Sequence, residues 1–337
     1  MMPLEPRRIL AITVSRIGDT LLTTPAIRAM AQRWPQAEID CCGHPNRVEV
    51  LEHLPFVRHV GPISKKSAPW RGWMARCTQP QYDLALVWGY DEALVAYALR
   101  VSRHVVAHRQ RDPRLNARLY RAVDTPPFQS AHAVHLNLAL TDALDTPHAG
   151  LRLSYCMTDA EAAWAQQRLR QDLPLDVGPL IGLQVASFPT KAYRDWPVAH
   201  FIELCAQIRA QWPQAHFLIF GGSEEKDKTA AMMANLGGAA TLYAGQLSLR
   251  QTAALMSGLD AYIGVDTGPT HLMSTFDIPL IALYHGYSRS ELIAPLEHPC
   301  LYAIDHPRAG PTCTPEAPMA EITVERVWQA VRRALGA

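Results

Sequence analysis

Long hydrophobic runs are missing from this 337-residue chain. Apolar stretches such as Ile9–Val14, Leu84–Trp88 and Leu280–Tyr284 fall well short of the roughly 18 to 20 residues that cross a bilayer, so no transmembrane helix is expected. A secretory signal is missing too. The start, MMPLEPRRIL, puts a basic pair before a short apolar stretch that soon meets Ser15, Arg16 and Asp19, and a cytoplasmic location is therefore expected. The seven cysteines (41, 42, 77, 156, 205, 300 and 313) are odd in number and have no C-x-x-C spacing. That argues against a disulfide framework and a thiolate zinc site, and predicts reduced thiols, mostly in the core. There is also no G-x-G-x-x-G, no Walker sequence, no H-E-x-x-H and no Asp-x-Asp pair. These absences remove the usual nicotinamide, P-loop NTPase, zincin and metal-dependent sugar-transferase readings, so an anionic ligand is expected to be held without a bound metal.

Net charge is nearly absent as well, but its distribution is uneven. Residues 1–150 carry 18 Lys plus Arg against 13 Asp plus Glu, whereas the remainder carries 14 against 18. The surplus concentrates between Arg100 and Arg121, where Arg100, Arg103, Arg109, Arg111, Arg114, Arg118 and Arg121 face a single acid, Asp112. Either an anionic partner binds this half, or a long arginine-bearing helix solvates its outer face. Nucleic acid is disfavoured because the segment has one aromatic, Tyr120, to stack a base.

The chain alternates strand-like and helix-like segments, twice over. Residues 8–14 are a β-branched run leading through a Gly-Asp turn into the apolar-periodic stretch Leu21–Met30. Trp34-Pro35-Gln36-Ala37 then stops that helix, and a strand follows at Glu38–Cys42. The same four letters recur at Trp212–Ala215, again between an amphipathic helix (His200–Gln211) and an apolar strand (Phe217–Phe220), with a strand at Leu180–Val185 before them. Further strands are expected at Leu84–Trp88, Val105–Ala107, Ala261–Val265 and Leu280–Tyr284. Such alternation predicts two α/β domains with parallel sheets. Their boundary is placed in the 150–178 region, giving units 1–160 and 161–337, and the last segment, ITVERVWQAVRRAL, is expected as a docked terminal helix.

Ligands of doubly wound sheets bind past the C-terminal strand ends, so the loops there hold the candidates. In Ser15-Arg16-Ile17-Gly18-Asp19-Thr20, Gly18 permits a tight turn and Asp19 is either a helix cap, worth about 1 kcal/mol, or a base. In VASFPTKAYRDW, Ser187, Thr190, Lys191 and Arg194 share one loop before a helix begun by Pro197. Hydroxyls, cations and free helix-start amides are the ingredients of a phosphate site, with a solvated polar loop as the alternative. In AYIGVDTGPTH, Asp266 would repel a phosphate, so it is assigned to cap and hold the loop while Thr267, Gly268 and His271 meet the anion. Finally, Phe220-Gly221-Gly222-Ser223-Glu224-Glu225 offers acids for ribose hydroxyls or, equally, an N-cap turn.

In their order, "RILAITVSRIGDTLLTTPAIRAM", "PTKAYRDWPVAHFIEL", "FGGSEE" and "GVDTGPTHL" make the chain resemble the family 9 glycosyltransferases, the ADP-heptose:lipopolysaccharide heptosyltransferases, over nearly its whole length. The resemblance implies a GT-B fold: two Rossmann-like domains facing across a cleft, the acceptor on the N-terminal domain, the donor nucleotide on the C-terminal one, and the terminal helix docked back. It implies that Asp19 is the catalytic base, that Thr190, Arg194, Thr267, Gly268 and His271 lie at the donor phosphates, and that Glu224 and Leu247 lie at the nucleoside. The cation before Trp-Pro is usually lysine in the family and here is Arg194, with Lys191 three residues earlier, so either could meet the phosphates. The loop His285-Gly286-Tyr287-Ser288-Arg289 departs from the commoner Gly-Pro-Thr-Asp-like one and leaves the transferred sugar open.

The expected reaction is inverting transfer of heptose from ADP-heptose to the lipopolysaccharide inner core, with the ADP-sugar as substrate and no cofactor. The alternatives are a same-fold transferase using another sugar nucleotide, such as a UDP-N-acetylhexosamine, or a non-catalytic nucleotide-sugar-binding protein. An anionic glycolipid acceptor would give Arg16, Arg100, Arg103, Arg109 and Arg111 a purpose and predicts salt-sensitive peripheral association with the inner membrane. No nucleic acid and no obligate protein partner is expected, and domain closure over the substrates would limit donor hydrolysis.

Overall fold

The computed structural model describes residues 4–75, 80–127 and 129–337. The chain divides into two compact units, Met1–Cys156 and Met157–Ala337. In the first, β1 (Arg8–Thr13), β2 (Glu38–Gly43), β3 (His59–Pro62), β4 (Tyr82–Trp88), β5 (Ser102–His108) and β6 (Arg121–Val123) form one sheet in the order β3-β2-β1-β4-β5-β6. In the second, β7 (Leu180–Gln184), β8 (His216–Phe220), β9 (Ala240–Leu242), β10 (Ala261–Val265), β11 (Leu280–Tyr284) and β12 (Leu301–Asp305) run β12-β11-β10-β7-β8-β9. Every pairing is parallel. Both orders are the doubly wound order of dinucleotide-binding folds, reversing direction between the first and fourth strands of each unit.

The central strands are buried on both faces, which is why they read as continuous apolar runs rather than alternating ones: β7, β8, β10 and β11 are buried at every position. On one face of the second sheet, Ile181, Leu183, Phe217, Ile263 and Ile281 pack with Phe201 and Leu204 of helix Val198–Gln211 and with Val327 and Val331 of helix Val324–Ala334. The expected terminal helix is thus docked, with Trp328 edge-on to Trp212 at 5.9 Å. On the other face, helix Asp159–Asp172 is started by a capping box in which the Thr158 hydroxyl accepts from the Glu161 amide (3.2 Å) and the Glu161 carboxylate accepts from the Thr158 amide (2.8 Å). Glu161 also pairs with Arg250 of helix Leu249–Met256, tying two helices over the same sheet face.

Three expectations need correction. The helix after β1 comes in two pieces, Ile17–Leu21 and Thr24–Arg33, because Pro25 suits a helix start and Gly18 is already helical instead of forming a turn. The Arg100–Arg121 segment is not one helix: it spans the end of helix Glu92–Val101, strand β5, the single turn Pro113–Asn116 and the start of β6. The thiols are free, but of the six described cysteines only Cys41 and Cys205 are buried; Cys77 lies outside the described residues.

Candidate functional site

Reversal of strand order between β7 and β10 leaves their C-terminal ends opening a crevice that no crossover covers. The loops leaving these two strands carry most of the candidates. Beyond β7 the chain makes a short turn, Pro189–Arg194. Its base is braced by Asp195, whose Oδ1 accepts from the Ser187 amide (2.7 Å) and lies 2.6 Å from the Ser187 hydroxyl, while its other oxygen pairs with Lys228. Ser187 Oγ also lies 2.8 Å from the Lys191 carbonyl, so its one proton serves the loop itself. Buried Trp196 anchors the far end by donating to the Ile322 carbonyl (2.8 Å). Thr190 is exposed, and the Lys191 ammonium and Arg194 guanidinium sit 5.7 and 5.5 Å from the ring of Tyr193.

Arg194 reaches across to the neighbouring loop, its Nη1 lying 2.8 Å from Asp266 Oδ2. Asp266 follows β10 and is only 3% exposed. The Ser288 hydroxyl donates to its Oδ2 (3.0 Å), and His271 Nε2 lies 3.5 Å from Oδ1. Burial by itself would raise this carboxyl, but the hydrogen bond with His271 and the Arg194 charge outweigh it and hold Asp266 below its ordinary value. The assignment of Asp266 as a cap is corrected: the N-cap of helix Gly268–Met273 is Thr267, and Asp266 holds the loop by bracing it to Arg194 and Ser288. Thr267 is extended and makes no side-chain cap, its hydroxyl lying 3.2 Å from that of Thr270, which donates to the Val265 carbonyl (2.6 Å). At the start of that helix Pro269 has no N–H to offer, and the Gly268 amide before it has no intrahelical acceptor. His271 is buried beside Asp266, and its Nδ1 finds no hydrogen-bond partner among the described residues.

At the end of β8 the fold distinguishes two adjacent acids. Glu224 is exposed. Glu225 turns inward, where its Oε2 accepts from the Gly222 amide (3.1 Å) and from Gln184 Nε2 (3.2 Å) at the tip of β7. Burial pushes Glu225 up to about 7. Gly221 is required here: φ is +155°, and a Cβ would stand 2.3 Å from that same carboxylate oxygen. The sequence offered both acids of this turn, and the resemblance singled out Glu224; the Gly222-x-x-Glu225 spacing of a capping turn was the signal that Glu225 is the inward one. Leu247, in the segment after β9, is half-buried against the cluster of Leu218, Phe220 and Tyr243. Beyond β11, buried His285 accepts the Tyr287 amide at Nδ1 (3.0 Å) and contacts the Ala317 carbonyl through Nε2 (2.8 Å), which fixes the loop that presents Ser288 to Asp266.

In the first unit the corresponding crevice lies between β1 and β4, which pair up to Thr13 and Trp88. Arg16 occupies the N-cap of helix Ile17–Leu21, and Asp19 is the third helical residue, exposed and in no ion pair or side-chain hydrogen bond among the described residues. Asp19 is therefore not a cap: the Thr20 hydroxyl donates to the Arg16 carbonyl (2.9 Å) and the carboxylate stays free. The candidate arginines do not gather in one place. Arg109 and Arg111 follow the C-terminal end of β5, at the same sheet edge as Asp19, whereas Arg100 and Arg103 precede or open that strand. Six residues at about 3.3 Å each separate Arg103 from Arg109 by roughly 20 Å. Arg109 is paired with Asp124 (2.6 Å) and Arg103 lies 3.8 Å from Asp83. Among the described residues no group of three or more His, Cys, Asp or Glu is arranged to hold a metal ion.

Comparison with known proteins matches residues 75–314 to the model of glycosyltransferase family 9 (heptosyltransferase). The chain is 26% identical over 336 residues to lipopolysaccharide heptosyltransferase 1 of Pseudomonas aeruginosa, a match covering 91% of this chain and 87% of that protein. A glycosyl transferase family 9 structure from Veillonella parvula aligns at TM-score 0.83 and 18% identity, over 99% of this chain and 98% of that one. The Escherichia coli ADP-heptose lipopolysaccharide heptosyltransferase II structure aligns at TM-score 0.79 and 21% identity, over 97% and 98%. The structural likeness shows a shared GT-B fold built of Rossmann-like units.

Proposed function

This chain belongs to glycosyltransferase family 9, the heptosyltransferases, and on that premise we propose that it transfers heptose from ADP-heptose to the core of lipopolysaccharide. The observation that carries the reading is the Arg194–Asp266 bridge at the β7/β10 switch point, which sets a guanidinium and the opening amide of helix Gly268–Met273 at one strand-end crevice. A departing diphosphate needs donors of that kind. Arg194, Lys191, Thr190, Thr267, the Gly268 amide and His271 are the groups proposed to receive it, with Ser187 and Asp266 holding the loops that present them. Glu224 and Leu247 are proposed for the nucleoside, and the inward-turned Glu225 joins them. ADP-heptose is consumed as a substrate, and these side chains and the Gly268 amide neutralise the leaving group without a cofactor.

In the proposed step an acceptor hydroxyl oxygen forms a bond to the anomeric carbon from the face opposite the nucleotide. The carbon–oxygen bond to the diphosphate breaks, ADP leaves with the electron pair, the configuration inverts, and the hydroxyl proton passes to Asp19. The free, exposed carboxylate of Asp19 supports that role, because a capping carboxylate would already be occupied. The first unit is proposed to receive an anionic glycolipid ending in 3-deoxy-octulosonic acid or heptose, with Arg16, Arg109 and Arg111 at its Asp19 edge and Arg100 and Arg103 farther off. Such an acceptor places the protein at the inner surface of the membrane; no helix among the described residues is long and apolar enough to cross one.

The test is ADP release from ADP-heptose in the presence of 3-deoxy-octulosonic acid-lipid A, with product mass analysis. General-base help is worth about 10² to 10⁴ in rate, so Asp19→Asn should lose turnover on that scale while ADP still raises its melting temperature. Near-normal turnover in that variant, or no product from the native enzyme, defeats the proposal.

A further inference from the structure

Six large hydrophobic side chains are exposed among the described residues, and three of them, Trp70 (60%), Trp73 (58%) and Met74 (60%), lie on one seven-residue helix, Ala68–Met74. Their i, i+3, i+4 spacing puts them on one face. The two indole rings stack with centroids 5.1 Å apart and planes 23° from parallel. The opposite face is committed to the fold: Ala68 and Gly72 are buried, and a Cβ on Gly72 would meet Arg100 Cγ at 3.7 Å and Tyr97 at 3.8 Å, on helix Glu92–Val101. The apolar face is therefore outward because the helix has no second side to bury, and nothing in the described first unit covers it.

The segment that carries this face has charge of one sign. Lys65, Lys66 and Arg71 are exposed beside it, Arg100 packs along its inner edge, and residues 61–75 contain no acid. Stacked tryptophans with an apolar body and an N–H donor settle at the headgroup level of a bilayer, and neighbouring cations are attracted to anionic lipid. We infer that helix Ala68–Met74 docks the protein on an anionic phospholipid surface, Trp70, Trp73 and Met74 entering the interface and Lys65, Lys66 and Arg71 meeting the headgroups. A protein partner of ordinary composition would be expected to meet this face with acids, which a bilayer of anionic headgroups supplies at higher density. The inference deepens the lipid-acceptor reading of the proposed function and rests on it; its residues, on helix Ala68–Met74 and the loop that leaves β3, are other than Asp19, Arg109 and Arg111.

The experiment is co-sedimentation of the full chain with vesicles of phosphatidylcholine containing about 30% phosphatidylglycerol, against pure phosphatidylcholine, over a salt series. Each lysine near an anionic surface is worth roughly fivefold in partitioning. Binding to the anionic vesicles should exceed binding to neutral ones at least tenfold at low salt. Lys65→Gln with Lys66→Gln should lose about tenfold or more and flatten the salt dependence. Trp70→Ser, Trp73→Ser and Met74→Ser together should abolish sedimentation; because the three side chains are exposed, the melting temperature should stay near that of the native chain. Equal binding to both vesicle types, or retention by the triple variant, overturns the inference, as does a dimer that the triple variant alone disrupts. Binding is read without transfer, so a chain that docks yet moves no heptose overturns the transferase reading and leaves this one standing.

Discussion

Replacing Asp266 by Asn tests whether the donor loops are organised as described. The substitution keeps the shape and removes a charge that is 3% exposed and faces Arg194, Ser288 and His271. Breaking a buried ion pair by neutralising one partner costs about 3 to 5 kcal/mol, because the other charge is left uncompensated. Arg194 is 20% exposed and can turn toward water, which brings the expected loss to about 2 to 3 kcal/mol. For a unit of this size each kcal/mol moves the melting temperature by about 2 to 4 °C, so a fall of roughly 4 to 12 °C at pH 7 is expected. The native protein should approach the variant as acid is added. A carboxyl held below its ordinary value contributes stability above its unfolded pKa of about 3.9 and loses it as pH falls through the lower folded value, so the gap between the two proteins should close below about pH 4. Scanning calorimetry from pH 7 down to pH 3 reads both effects. A variant melting within 2 °C of the native protein at pH 7 would refute the assignment of Asp266 as the brace between the two loops.

Glu225, raised to about 7 by burial, has the opposite sign: the folded state holds its proton over a range where the unfolded state has released it, so stability should decline as pH rises from about 4.5 to 7. Glu225→Gln should remove that decline in thermal melts, and an unchanged slope would disprove the buried placement. Arg194→Met should weaken ADP binding by about 10- to 100-fold in titration calorimetry, the range for losing a hydrogen bond to a charged group, whereas Lys191→Met, whose ammonium lies free over Tyr193, should weaken it less. If both variants bind ADP within twofold of the native chain, the diphosphate lies elsewhere.

The elements with their own local code were legible in the letters. Strands buried largely on both faces announced themselves as apolar runs at β1, β4, β5, β7, β8, β10 and β11, and β2 was found from the proline stop before it. The repeated Trp-Pro-Gln-Ala marks the same place in each unit, between a helix and the second strand, at β2 and β8. The four edge strands β3, β6, β9 and β12 were not picked out: each pairs on one side only, and three of them are four residues or fewer, as in Arg121-Ala122-Val123. The family resemblance likewise lay in the motifs and their order.

Partnership between distant residues was not legible. Asp266 is a brace because strand order sets β10 beside β7 and so brings Arg194 to it, and Glu225 rather than Glu224 is the buried acid because Gln184 at the neighbouring strand tip holds it. The arginine run looked like one surface and is divided by the length of β5. Local periodicity and turn chemistry act over a few residues and so are written in any short window, whereas the contacts of Gln184 with Glu225 and of Arg194 with Asp266 join positions 41 and 72 residues apart. Which side chains meet across such separations depends on strand order and register, and those are fixed only when the whole sheet closes its hydrogen bonds.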